Sequence, residues 1–287
     1  MSAVRVHPQH HAGSGTWTYV VADEGSDAAV IIDPVLDYDG VSGRTRTDSA
    51  QALLDLVSAQ GYRVTRILET HAHADHLSAA SWLKSQLGAG IAIGEGIRRV
   101  QETFKPVFNL EAGFATDGSQ FDQLFADGDT FSVGGTTARV IAVPGHTSDS
   151  VAYLIGDALF VGDSLFMPDG GTARCDFPGG DAATLYRSIQ RLFELPEATR
   201  VFVCHDYAPG GRELRCETSI GAQKADNLHV GGGKTEAEFV ALRQARDATL
   251  AMPALMLPAV QVNIRAGQLP PKEDNDVRYL KIPLDRL

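Results

Sequence analysis

The chain has 287 residues, 44% hydrophobic and 21% charged, with 36 acidic against 25 basic side chains and a formal charge of −11. This composition supports a sizeable core and excludes a disordered polymer, and its acidity disfavours nucleic acid or an anionic membrane as principal partner, since basic patches hold both. The N-terminus lacks an apolar signal core and no stretch approaches the ~20 residues that span a bilayer, so a cytoplasmic protein is expected.

In chain order, His7, His10 and His11 fall near an N-terminus expected to be mobile and read as surface histidines. Strands are predicted over 17–21 and 30–32. A helix is predicted over 48–60: Asp48 can cap it, Gln51 stands three later, Leu53, Leu54, Leu56 and Val57 form its apolar side, and Gly61 ends it. A strand over 64–68 precedes a helix over 78–87 that stops at Gly88. The stretch 98–129, carrying Phe104, Phe108, Phe114, Phe121 and Phe125, is expected to be a lid or a homo-oligomer contact, with simple packing as the plainer alternative.

Strands over 138–143, 151–155 and 158–161 follow, the last two read as a hairpin about Gly156-Asp157. A helix over 181–193 ends before Pro196, a strand covers 201–203, and a further helix starts at Thr235, with Glu238 completing a capping box. The segment 278–283 is strand-like. Alternating helical and strand periods argue for mixed α/β layers, taken as one domain over 1–287. Gly231-Gly232-Gly233-Lys234-Thr235 superficially matches a phosphate loop, but position 228 is Leu228 and no strand leads in, so it reads as a flexible lead to the helix. His229 beside it reads as structural. Cys175, Cys204 and Cys216 include no C-x-x-C pair, so reducing conditions are expected. Cys204 reads as a small buried hydrophobe; Cys175 lies in a loop where reactivity would need a lowered thiol pKa.

The chemistry concentrates in Thr70-His71-Ala72-His73-Ala74-Asp75-His76, three imidazoles and carboxylate within six positions directly after a strand. Neutral imidazole and carboxylate are ligands for Zn, Fe or Mn, so this density points to a metal. Three more candidates follow strand ends: His146, Asp163 and His205. Strand ends are where α/β folds gather reactive side chains, so all seven plausibly share one rim.

The ordered set H-x-H-x-D-H at 71–76, His146, Asp163 and His205 resembles the metallo-β-lactamase superfamily. Gly15-Thr16-Trp17-Thr18-Tyr19, Pro144-Gly145-His146-Thr147, Gly162-Asp163, Arg174-Cys175-Asp176-Phe177 and His205-Asp206-Tyr207 extend the resemblance to its persulfide dioxygenase branch, the ETHE1-like and Blh-type sulfur dioxygenases. The resemblance implies an αββα sandwich, two mixed sheets flanked by helices. It also implies one Fe(II) per chain on His71, His146 and Asp163, the catalytic set, with His73, Asp75, His76 and His205 as supporting residues or a second site. The implied reaction oxidises glutathione persulfide, or a related low-molecular-weight persulfide, with O2 to sulfite and glutathione. Arg174 and Tyr207 occupy positions resembling glutathione contacts; Arg215 is a candidate only by nearness in sequence.

Two alternatives remain. A glyoxalase II-like thioester hydrolase would use the same residues for two Zn ions: His71, His73, His146 and Asp163 on one, Asp75, His76, Asp163 and His205 on the other. The Arg174-Cys175-Asp176-Phe177 run and the lack of a separate helical glutathione-binding domain favour the oxygenase. A non-catalytic, metal-containing, sulfur-responsive regulatory protein is disfavoured, because seven ligand-type residues exceed the four of a closed structural zinc site and no cysteine joins them. Coenzyme A persulfides or sulfide-derived persulfides stay open as substrates.

Overall fold

Residues 28–32, Ala-Ala-Val-Ile-Ile, are apolar throughout, the pattern of a strand covered on both faces. In the computed structural model, which describes residues 3–286, all five are buried. In chain order, β1 (Val4–His11), β2 (Thr16–Asp23) and β3 (Ala28–Ile32) form an antiparallel meander. The short β4 (Val35–Asp39) and β5 (Arg44–Arg46) lead to α1 (Asp48–Gln60), and β6 (Arg63–Leu68) returns parallel beside β3. Next come β7 (Leu77–Ser78), which pairs with β4, then α2 (Ala80–Leu87), β8 (Gly90–Gly94), α3 (Ile97–Val107) and β9 (Gln123–Phe125). The first sheet has the order β1-β2-β3-β6-β8-β9.

The second sheet runs β10 (Thr130–Val133), β11 (Thr136–Ala142), β12 (Val151–Ile155) and β13 (Ala158–Phe160) as antiparallel neighbours. After α4 (Ala182–Leu192), β14 (Arg200–Phe202) joins parallel to β13, and β15 (Glu217–Ser219) closes the edge. Helices α5 (Ile220–Asp226), α6 (Glu236–Asp247) and α7 (Met256–Asn263) end the fold.

Period-two alternation sorts the core into three layers. Val20, Ala22 and Ile31 face α1, α2, α3 and α7; Tyr19, Val21, Val30 and Ile32 meet Val140, Tyr153 and Phe160 between the sheets; Ile141, Ala152 and Leu159 face α4 and α6. This is the expected αββα order. No helix among the described residues is long and apolar enough to cross a membrane.

Several expectations need correction. Residues 4–11 are the fully paired strand β1, and its histidines are engaged: His7 bonds the Tyr62 hydroxyl at 2.9 Å and His10 packs on Trp17. Thr47, not Asp48, occupies the α1 cap and makes no side-chain cap bond, whereas Gly61 takes the left-handed C-cap. The helix expected over 78–87 begins at Ala80, because Ser78 pairs with Val35. Residues 278–283 form no strand: one bridge, Lys272 to Arg278, is all that pairs there, and the segment is largely exposed. The 98–129 segment supplies α3 and β9, and all five of its phenylalanines are buried. None of it lines the cleft described below.

Candidate metal centre

Each ligand-type residue leaves a strand. Thr70 to His76 follow β6, His146 follows β11, Asp163 follows β13 and His205 follows β14. The two sheets meet at this rim, where the Thr16 backbone bridges His205 and the Val151 amide donates to the Thr70 carbonyl. Glycines tighten two of the turns. Gly145 (φ 138°) lies so close to α4 that a Cβ would strike the Leu185 backbone, and a Cβ at Gly162 (φ 52°) would lie 2.7 Å from the Thr70 hydroxyl.

The loops converge as the spacing suggests. Ligand atoms of His71, His146 and Asp163 all lie within 4.8 Å of one another, with Asp163 Oδ2 4.0 Å from His71 Nε2 and 3.6 Å from His146 Nε2. On the other side of Asp163, His205 Nε2 is 3.3 Å from Asp163 Oδ1 and 3.5 Å from Asp75 Oδ2. His73, Asp75 and His76 form a second tight group. His73 is packed deepest, its Nε2 3.0 Å from Asp33 and 3.7 Å from Glu69.

The donor set fits a cation. His71 Nδ1 is taken by the Thr70 hydroxyl (3.0 Å), His146 Nδ1 donates to the Arg174 carbonyl (2.7 Å) and His205 Nδ1 to the Gly15 carbonyl (3.1 Å). These bonds turn the opposite nitrogens inward as ligating imidazoles require. The buried atoms His71 Nε2, His76 Nε2 and Asp163 Oδ1 have no hydrogen-bond partner, a cost that a cation at this position would remove. Burial holds His71 and His73 well below the usual imidazole range, with neighbouring imidazoles acting in the same direction, so both are neutral. Burial alone would raise Asp163, but its neighbours, His205 foremost, outweigh it and keep the carboxylate ionised.

Residues absent from the sequence reading hold the loops. Asp33, itself at φ 52°, accepts the Thr70 amide (2.7 Å) and hydroxyl (2.9 Å). Asp149 accepts the Ala72 amide at 2.8 Å. Asn263, at the end of α7, donates to the His73 and His76 carbonyls, both at 2.8 Å, and accepts the Ser78 amide. Buried Arg243 of α6 donates to Asp247 and the Thr172 carbonyl, while Asp247 accepts the Cys175 amide at 2.9 Å, fixing the loop whose Arg174 carbonyl orients His146. No spacing rule flags these residues; an isolated Asn or Arg in a helix resembles any polar surface position.

A cleft of about 400 Å³ opens on the centre, with His146, Asp163, Asp75 and His205 at its floor and Phe166, Phe177 and Leu250 on its walls. Arg174 and Tyr207 line it as expected. Arg174 is committed to Asp176 at 2.6 Å and to the Ala251 carbonyl, and stacks on Phe177, so its charge is already paired. Arg215 does not line the cleft: it lies on a separate groove with Asp169 and Glu217, and its amide is held by Asp206. Arg246, not singled out from sequence, lines the cleft and has no carboxylate partner among the described residues. Cys175 is buried and its thiol is pushed up to about 12 by burial, which removes the basis for reactivity. Cys204 is buried as expected.

A family model described as Metallo-beta-lactamase superfamily matches residues 12–205. A probable metallo-hydrolase of Burkholderia pseudomallei is 54% identical over 282 residues, covering 95% of this chain and 96% of its own length. Glyoxylase B2 of Dictyostelium discoideum is 49% identical over 286 residues, covering 99% of this chain and 97% of its own. The crystal structure of ETHE1 from Myxococcus xanthus superposes with a TM-score of 0.72 at 32% identity, covering 92% of this chain and 100% of that one.

Proposed function

The chain belongs to the metallo-beta-lactamase superfamily, and from that premise we propose that it is a persulfide dioxygenase converting glutathione persulfide, dioxygen and water to glutathione and sulfite. The observation that carries this reading is the trio His71, His146 and Asp163, two imidazoles and one carboxylate gathered where the cleft opens on the centre. Held by these three, Fe(II) would supply redox chemistry with coordination positions left for sulfur and dioxygen. The likeness to ETHE1 of Myxococcus xanthus supports the same branch.

The protein's own groups then have definable tasks. Asp163 contributes the one anionic donor of the trio, and the Arg174 carbonyl fixes which His146 nitrogen faces inward. Phe166, Phe177 and Leu250 keep the cleft walls apolar, which excludes water around a reactive sulfur. The Arg246 guanidinium and Tyr207 hydroxyl at the cleft are suited to the carboxylates of an anionic tripeptide. The Tyr207 phenol, largely exposed at the cleft, is a hydrogen-bond donor throughout the working range.

A second reading uses the same residues. The approach of His205 to both Asp163 and Asp75 supports a dinuclear zinc centre and thioester hydrolysis, as do relatives named metallo-hydrolase and Glyoxylase. Elemental analysis of protein prepared without added metal separates the two. The dioxygenase reading expects about one iron per chain on a two-histidine, one-carboxylate site; zinc at twice the chain concentration, without iron, would overturn it.

A further inference from the structure

Tyr207 stands 69% exposed on the wall of the cleft. Its ring meets Phe166 edge-on with centroids 5.3 Å apart and lies nearly parallel to His205 at 6.2 Å. So exposed a side chain has little packing of its own, and its backbone decides where the ring stands. That backbone enters an unfavourable turn: Ala208 has φ 42°, a left-handed conformation that a residue with a Cβ keeps only where its surroundings impose it, and Gly210 and Gly211 follow at 72° and 76°.

The surroundings that impose it are two carboxylates and one guanidinium. Buried Asp206 draws both ends of the loop to itself, accepting the Ala208 amide at 3.1 Å and the Arg215 amide at 2.7 Å. Arg212, inside the loop, forks across two acids. Its Nη1 and Nη2 donate to Asp206 at 2.6 and 2.7 Å, and its Nε and Nη2 donate to Asp169, both at 2.6 Å. The remaining Nη1 hydrogen goes to the Glu213 carbonyl, so all five N–H donors of Arg212 are engaged and none is left for a substrate. Asp169 belongs to a different loop, the tight turn in which the Phe166 amide donates to the Gly171 carbonyl and the Gly171 amide to the Met167 carbonyl. Phe166 and Gly170 of that turn line the cleft, whereas Asp169 and Arg212 do not. The fork therefore joins two walls of the cleft from behind.

We propose that Arg212 and Asp169 are a positioning pair that fixes Tyr207 against Phe166 and thereby sets how tightly the cleft holds the thiol carrier. The inference rests on Tyr207 meeting the glutathione part of the substrate, as in the function proposed above, and is the same for persulfide and thioester. Bidentate geometry on a guanidinium only 17% exposed makes the fork a firm link between loops. Without it the Tyr207 loop samples other arrangements, and affinity falls by the fraction of time that the competent one is occupied.

The test uses metal-loaded protein, with glutathione affinity measured by titration and KM and kcat measured on glutathione persulfide or a glutathione thioester, whichever is turned over. Asp169→Ala cuts the link between the loops while leaving Arg212 paired with buried Asp206, so no buried charge is orphaned. It is expected to raise Kd and KM about 5- to 10-fold, as for a site competent about a tenth to a fifth of the time, with kcat and metal content unchanged. Arg212→Lys, a point charge that cannot span both acids, is expected to act in the same direction. In a Tyr207→Ala background, Asp169→Ala is expected to add nothing further, since both changes act through one ring. Unchanged Kd and KM in Asp169→Ala, a fall in kcat or metal content in their place, or fully additive effects in the double variant would overturn the positioning role while leaving the proposed function standing. Tyr207→Ala with unaltered glutathione affinity, or no glutathione binding by the unaltered protein, would overturn the glutathione reading and the pair together.

Discussion

The strand-end loops and the C-terminal helices contribute to the centre in opposite ways. The loops after β6, β11, β13 and β14 supply every candidate ligand, each within a few residues of a strand. Helices α6 and α7 supply none, yet Arg243, Asp247 and Asn263 hold those loops across sequence separations of 71, 72 and 190 residues. Ligand chemistry here is local, whereas ligand placement is long-range. Substitutions in the first region should therefore remove metal and turnover from a folded protein, and those in the second should loosen the fold and the metal together.

The sharpest break comes from Asp163→Ala, which removes the sole anionic donor of the trio. Metal content and turnover are expected to fall to background while the unfolding transition is retained; a fully active, metal-loaded variant would erase the distinction. In the second region, Asp247→Ala leaves Arg243 buried without its carboxylate. Chemical denaturation should register a loss of about 3–5 kcal/mol. Asn263→Ala orphans two carbonyls and an amide behind the ligand loop. It is expected to cost about 1–3 kcal/mol and to weaken metal retention by about 10- to 100-fold, measured by competition with a chelator.

A smaller effect follows from His229, whose Nδ1 accepts the Thr172 amide at 2.9 Å. Burial, then Arg243, pushes its pKa down to about 4. The unfolded chain takes up that proton near pH 6.5, so the neutral ring's contribution is intact above pH 6.5 and is lost as pH falls toward 4. Between pH 7 and pH 5 this amounts to about 2 kcal/mol, and His229→Gln should flatten the slope. Least of all, Cys175 should resist alkylation at pH 8 in the folded protein and react after unfolding, since burial keeps its thiol protonated.

The same division explains what could be read in advance. Apolar runs predict seven of the fifteen strands, among them those that lead into the ligand loops, and the capping signal predicts where α6 starts, because Thr235 and Glu238 bond each other's backbone locally. The ligands are legible because His and Asp at strand ends have few other uses. Asn263, Asp33 and Arg246 are not, because their roles depend on which loop lies opposite, and nothing in their own neighbourhood states that. Arg215 is the converse: near the ligand loop in sequence, it is turned to another groove by the bond from its amide to Asp206. The N-terminal histidines were misplaced for a related reason, since pairing with β2 is what orders them.

The central claim, that this centre oxidises a persulfide, is tested most directly in an oxygen electrode with the iron-loaded protein. Glutathione persulfide should drive oxygen uptake with one sulfite formed per dioxygen consumed, and a glutathione thioester should release no thiol. Thioester hydrolysis without oxygen uptake would contradict the account.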